Sequence, residues 1–123
     1  MSKISCAVFL SFIGAGFAVG LAVEEVEKRA KYPIKQVMKE AHKDGLWKKV
    51  TEGKGSKEEK ARLLELYTSL WDNAPPKGDE ASWTKKTGTV VVAAAKVLLE
   101  QDKAVDELKG AVNCKACHDT HKG

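Results

Sequence analysis

The sequence predicts an all-α protein, an antiparallel bundle of four helices joined by short connections. Two observations lead to this prediction. Beyond residue 23, apolar residues recur at the spacing of one helical face, and glycine and proline divide the chain into four such stretches. The 123 residues are 43% hydrophobic and 31% charged, which fits one folded domain and excludes global disorder.

The first predicted helix covers residues 26–50. Pro33 lies near its first stable turn, where proline is tolerated, and Gly53 and Gly55 break the chain after it. The apolar positions that share one face are Ile34, Val37, Met38, Ala41 and Leu46.

The second predicted helix begins with a capping box, because Ser56 is followed three residues later by Glu59. It ends at Asn73 and the pair Pro75-Pro76. Its apolar stripe comprises Leu63, Leu64, Leu66, Tyr67, Leu70 and Trp71.

Asp79 or Ser82 caps the third predicted helix, and Asp102 caps the fourth. The three valines at 90–92 also suit a strand, but no partner strand is found elsewhere, so we prefer a helix. The apolar residues of the third helix are Trp83, Val90, Val91, Ala94, Val97 and Leu98. Those of the fourth are Val105, Leu108, Ala111 and Val112. We expect the aromatic residues Trp47, Tyr67, Trp71 and Trp83 to lie in the core.

Residues 1–22 predict a signal peptide. Lys3 precedes a run without charge at 4–23, and Gly20 and Ala22 offer a small-residue cleavage site. The run spans about 20 residues, so the alternative is an uncleaved membrane anchor formed by residues 4–23. Cys6 lies in this segment and is interpreted as a spectator. In both cases, residues 23–123 form the folded domain, which we expect to be exported, to the periplasm or a similar compartment.

The charge balance excludes several functions. The net charge is +4, and loss of Lys3 with the signal peptide leaves +3, too weak and too interspersed to suggest a nucleic-acid partner. The sequence contains no nucleophile elbow, no phosphate loop and no paired carboxylates in an apolar setting. We therefore expect a protein that is not an enzyme.

The chemistry of the chain is concentrated in the stretch NCKACHDTHKG at its C-terminus. Cys114, Cys117 and His118 are three and four residues apart, so a helix brings them to one face, at the end of the fourth predicted helix. C-x-x-C-H is the attachment motif for a c-type haem. Each thiol bonds to a vinyl group of the macrocycle, and the adjacent histidine reaches the iron. Export fits, since this attachment occurs outside the bacterial cytoplasm.

Three other interpretations of the motif compete. A reversible dithiol of the thioredoxin type needs a βαβ context, which a helical chain lacks. A zinc site formed by Cys114, Cys117, His118 and His121 would have its ligands closer in sequence than the usual two separated pairs. A disulfide between the two cysteines would close too short a loop to stabilise the fold.

A helical chain with CKACH almost at its C-terminus resembles the class II cytochromes c, the group of cytochrome c′ and cytochrome c556. The resemblance covers residues 24–123 in layout. It implies that one haem is attached covalently to Cys114 and Cys117 on the fourth helix and that His118 is the proximal iron ligand. It also implies that the first helix faces the opposite side of the haem.

Residue matches to the family lie in the motif and in the first helix. The family's motif often continues with an aromatic and a basic residue, and here His121 and Lys122 occupy those positions. The family's first helix often carries R-x-x-x-M-K. Met38 and Lys39 match this pattern, but Ile34 replaces the arginine, so no role of that arginine transfers to this chain.

The sixth iron ligand is left open by the sequence. Met38 in the first helix would give the His/Met ligation of the c556-like members, which suits electron transfer, although a lone methionine on an apolar face usually only fills core. His42, one turn later, is the rival, but we expect it to be solvated beside Lys43 and Asp44. If neither ligates, an apolar residue such as Val37 or Ala41 faces the iron, as in a gas-binding cytochrome c′.

The sequence therefore predicts an exported mono-haem cytochrome, a monomer or a homodimer, that passes single electrons between redox partner proteins. The alternative is a five-coordinate haem protein that binds small gases such as nitric oxide. Lys35 or Lys39 could pair with the haem propionates or with an acidic redox partner. We expect His121, close to the chain end, to be exposed.

Overall fold

The computed structural model of the chain describes residues 30–123, and every regular element in this part is helical. The elements are α1 (Ile34–Val37), a π-helical segment (Met38–Lys43), α2 (Leu46–Thr51), α3 (Lys57–Asp72), α4 (Glu80–Leu98), α5 (Ala104–Ala111) and α6 (Cys114–His121). The all-α prediction is confirmed. The valines at 90–92 lie inside α4, so the strand alternative for them is wrong.

The predicted signal peptide or membrane anchor, residues 1–22 or 4–23, lies outside the described residues. Within residues 30–123, no helix is long and apolar enough to cross a membrane.

The first predicted helix is interrupted, so the expectation of one continuous helix over 26–50 is wrong. Pro33 is an extended residue that precedes α1 and does not belong to its first turn. From Met38 the helix widens, and the amide of Asp44 donates to the carbonyl of Lys39, five residues earlier, at 2.8 Å. Gly45 then adopts a left-handed conformation with φ of 85°, which is easy for glycine, and α2 begins after it.

The local signals that border α3 and α4 are confirmed. Ser56 and Glu59 form both hydrogen bonds of the capping box, each 3.1 Å long. Asn73 ends α3, as predicted. Of the two candidate caps for the next helix, Asp79 is the one used, and its side chain accepts from the amide of Ser82 at 3.0 Å.

The fourth predicted helix is divided into two. Lys103, and not Asp102, precedes α5, in a left-handed conformation without a side-chain cap. The helix ends at Ala111, and Asn113 caps a new helix by accepting from the amide of Ala116 at 3.0 Å. The C-x-x-C-H motif therefore begins α6. The prediction that it ends the fourth helix is wrong, because the Asn113 side chain satisfies an amide that a continuous helix would bond to a carbonyl one turn earlier.

The helices enclose one apolar core. α3 and α4 share the most extensive contact, α5 packs on α4, and α1 packs on α3. The core cluster consists of Val37, Ala41, Val50, Leu63, Leu66, Tyr67, Leu70, Trp83, Val90, Ala93, Ala94, Val97, Ala104 and Leu108. Of the four aromatic residues predicted for the core, Tyr67 and Trp83 are fully buried, and Trp47 and Trp71 are half-buried.

Candidate functional site

One cavity of about 310 Å³ brings together the three residues of the motif and both candidates for the distal iron ligand; we call it the site cavity. Its lining includes Met38, His42, Cys114, Cys117 and His118. These residues come from two helical segments separated by some 70 residues of sequence, and the fold places both against one space. The apolar part of the wall includes Leu70, Val90, Ala111 and Val112.

The motif occupies the wall formed by α6. Cys114 and His118 are exposed, whereas Cys117 is partly buried, and both thiols are free. Burial raises the pKa of the Cys117 thiol, and the nearby cation of Lys86 acts in the opposite direction. The helical spacing of three and four residues keeps the three side chains on one side of α6, as predicted.

Met38 is the first residue of the π-helical segment and packs, partly buried, against the core cluster. It also lines a second cavity, of about 590 Å³, that is bordered by Ile34, Trp83 and His121. Cys117 and His118 line this second cavity too. Met38 therefore lines both cavities, as Cys117 and His118 of the motif do.

His42 is not a solvated side chain, so that expectation is wrong. It is half-buried, and its Nε2 lies 3.3 Å from the hydroxyl of Tyr67. Its ring centroid is 6.0 Å from that of Trp47. Burial, and to a smaller degree the charge of His118, lower the pKa of His42. His42 is thus held as a neutral imidazole facing the site cavity.

The Tyr67 hydroxyl contacts one ring nitrogen of His42, Nε2. Burial raises the pKa of the Tyr67 phenol, so the hydroxyl keeps its proton. A protonated hydroxyl can donate or accept, so this contact engages Nε2 in either tautomer of the imidazole. Nε2 is thus already committed to a hydrogen bond within the protein.

His121, expected to be exposed, is buried, and only 1% of it is accessible. Its Nδ1 lies 2.9 Å from the carbonyl of Lys77, and its Nε2 lies 3.2 Å from Oγ of Ser82. Its ring meets Trp83 edge-on, with 5.4 Å between the centroids. His121 fastens the end of α6 to the α3–α4 connection and to α4.

The loop opposite His121 fits closely around it. Gly78 has a φ of 83°, and a Cβ there would lie 2.7 Å from the carbonyl oxygen of Thr120 and 2.9 Å from Nδ1 of His121. One signal in the sequence pointed to this burial: His121 occupies the position where class II cytochromes c often have an aromatic residue. We nevertheless predicted an exposed side chain, because His121 is close to the chain end.

The donors of the site suit a haem better than zinc. In residues 30–123 no group of three or more histidine, cysteine, aspartate or glutamate side chains is arranged to hold a metal ion. Both ring nitrogens of His121 are engaged in hydrogen bonds, so the alternative four-ligand zinc site is not formed. A haem needs only axial ligands, two tethers and an apolar pocket. The site cavity combines the two thiols, an exposed imidazole and a thioether with an apolar wall.

Comparison with known proteins gives no assignment. No family model, no curated protein and no solved structure matches the chain. The resemblance to class II cytochromes c therefore stays a prediction from the motif and its position in the sequence.

Proposed function

We propose that the chain is an exported mono-haem c-type cytochrome of the class II type, which transfers single electrons between redox proteins. One observation supports this most strongly: both cysteines and the histidine of C-x-x-C-H line the same apolar cavity as Met38 of the first helical region. In this proposal α1 to α2, α3, α4, and α5 to α6 are the four arms of a bundle. The haem is bound covalently near its C-terminal end.

Cys114 and Cys117 hold the haem through thioether bonds, and His118 binds its iron. All three side chains belong to the short helix α6. Asn113 caps this helix immediately before Cys114, so helical geometry fixes the spacing of the three side chains. His121 fixes the other end of α6. The bound haem supplies reversible one-electron chemistry at its iron.

Met38 is the preferred distal ligand. The Nε2 atom of His42 is already engaged in a hydrogen bond with the hydroxyl of Tyr67. The thioether of Met38 has no such commitment and lies partly buried on the site cavity. A thioether opposite an imidazole raises the potential of a haem, which suits an electron carrier.

Exposure of α6 supports electron exchange with partner proteins. Cys114 and His118 are exposed, so one edge of a haem attached to them would be close to the protein surface. Partners would be redox proteins that dock over α6. This role needs no catalytic group.

A second candidate function is binding of a small gas at a five-coordinate haem. It is favoured by the hydrogen-bonded pair His42 and Tyr67, which lines the cavity and could place a polar group beside a gas bound to the iron. In that case Met38 only fills space beside the haem.

Absorption spectra distinguish the two functions. The exported, haem-loaded protein is measured in both oxidation states, with and without carbon monoxide and nitric oxide. The electron carrier is expected to have a six-coordinate spectrum in both states and to change slowly when gas is added. Rapid and complete binding of carbon monoxide by the ferrous protein would favour the gas-binding function.

A further inference from the structure

Two lysines distinguish the site cavity from a purely apolar pocket. Lys43 ends the π-helical segment and Lys86 lies in α4, and both line the cavity. Among the described residues, no aspartate or glutamate lines it. The cavity therefore combines an apolar wall with uncompensated positive charge.

Neither lysine has an ion-pair partner within residues 30–123. Lys39, on the same segment as Lys43, pairs with Asp44 at 2.9 Å, and Lys115, in α6, pairs with Asp119 at 2.6 Å. Asp44, next to Lys43, and Asp119, in the helix of the motif, are thus already paired with other lysines. A cation at the edge of an apolar cavity is stabilised when a bound anion replaces the missing partner.

The lysines belong to different walls. Lys86 is partly buried and close enough to the motif for its charge to act on the Cys117 thiol. Lys43 is exposed and directly follows His42. A ligand with two negative groups could contact both walls while its apolar body lies between them.

We infer that Lys43 and Lys86 bind the carboxylates of an amphipathic ligand whose apolar body fills the site cavity. In the cytochrome proposed above, on which this inference rests, the carboxylates are the two haem propionates. The sequence predicted this role for Lys35 or Lys39, but neither lines the site cavity. Lys39 is engaged by Asp44, and Lys35 lines only the second cavity.

The test compares two porphyrins that differ only in their carboxylates. The full chain, produced without haem and with reduced thiols, is titrated with metal-free mesoporphyrin IX and with its dimethyl ester. Neither compound has a vinyl group for a thiol to attack. Fluorescence gives the two dissociation constants, and their ratio isolates the contribution of the carboxylates from that of the apolar body.

The variants are Lys43→Met, Lys86→Met and the double substitution, which keep an apolar stem of similar length. Lys48→Met and Lys85→Met are matched controls, because both lysines are exposed, lie on the same elements or next to them, and do not line the cavity. The double variant is expected to reduce the preference for the diacid about tenfold, and each single variant about threefold. The controls are expected to leave the ratio unchanged.

Two results would overturn the inference: a ratio that is the same in the double variant as in the natural chain, or no binding of the diacid by the natural chain. A misfolded variant is recognised because its affinity for the ester falls as well. The cytochrome proposal fails separately, if protein from the exported compartment carries no haem. A shifted ratio in that case would still assign the two lysines to a carboxylate ligand.

Discussion

The hydroxyl of Tyr67 lies 3.3 Å from Nε2 of His42, which joins α3 to the π-helical segment across the wall of the site cavity. Tyr67 is buried, and His42 is half-buried against it and Trp47. Burial holds His42 neutral, and the hydrogen bond engages its Nε2. In the proposed cytochrome, this contact leaves Met38, and not His42, free to bind the haem iron from the first helical region.

The pH dependence of stability follows from this pair. Burial lowers the pKa of His42 in the folded chain below its ordinary value of 6.5. As the pH falls below 6.5, the unfolded chain binds a proton that the folded chain still refuses, so the free energy of unfolding of the haem-free chain decreases. The decrease stops once the pH is below the folded pKa.

Urea unfolding of the haem-free chain between about pH 5.5 and pH 7 measures this slope, about one pH unit or more above the ordinary pKa of glutamate. His42→Gln is expected to flatten it. Lys43→Gln, a change of the neighbouring residue that does not titrate in this range, is the control and is expected to keep it. An unchanged slope in His42→Gln would show that other groups cause the dependence.

Replacement of Met38 by alanine tests the distal ligand. In the haem-loaded protein, Met38→Ala is expected to remove the six-coordinate spectrum and to speed carbon monoxide binding to the ferrous form by at least about tenfold, since the sixth position is opened. His42→Ala is the matched change one turn later and is expected to leave the spectrum six-coordinate. The opposite pattern would assign the iron to His42, and no effect of either would support the gas-binding function.

His121 is expected to hold α6 in place. His121→Ala removes a fully buried ring and leaves the carbonyl of Lys77 and the hydroxyl of Ser82 without their partner. We expect a loss of about 2–4 kcal/mol in the free energy of unfolding and faster amide exchange in α6. Lys122→Ala, at the exposed neighbouring residue, is the control. A loss below about 0.5 kcal/mol would mean that α6 does not depend on this contact.

The cap at Asn113 is expected to order the start of the motif. Asn113→Ala removes the acceptor of the Ala116 amide and should cost about 1 kcal/mol, with faster exchange of the first amides of α6. Asn113→Asp keeps an acceptor and should retain most of the protection. Equal exchange rates in the alanine and aspartate variants would contradict a capping role.

The parts of the fold that the sequence predicted are those with a local chemical signal. These signals are hydrogen bonds between residues three or four positions apart, so their residue types can be identified in the sequence. They are formed by Ser56 with Glu59, by Asn73 and by Asp79. The break before α6 also had such a signal, since Asn113 is a favoured cap. It was missed because the apolar spacing continues through Val112 and suggested one long helix.

The features that were not predicted depend on contacts between distant residues. His42 is half-buried because Tyr67, 25 residues later, offers it a hydroxyl. His121 is buried because the carbonyl of Lys77 and the hydroxyl of Ser82, some 40 residues earlier, form hydrogen bonds with its two ring nitrogens. The C-x-x-C-H motif can be identified from the sequence alone. That it lines one cavity together with Met38 can be seen only in the structure.

The central claim is that Cys114 and Cys117 carry a haem, and intact-mass spectrometry of the protein purified from the exported compartment tests it most directly. The matched control is Cys114→Ser combined with Cys117→Ser, produced in the same cells. We predict that the natural chain has the mass of its polypeptide plus one haem, retained after denaturation, and that the control has the mass of its polypeptide alone. A natural chain without the added mass, with both thiols free or joined to each other, would contradict the account.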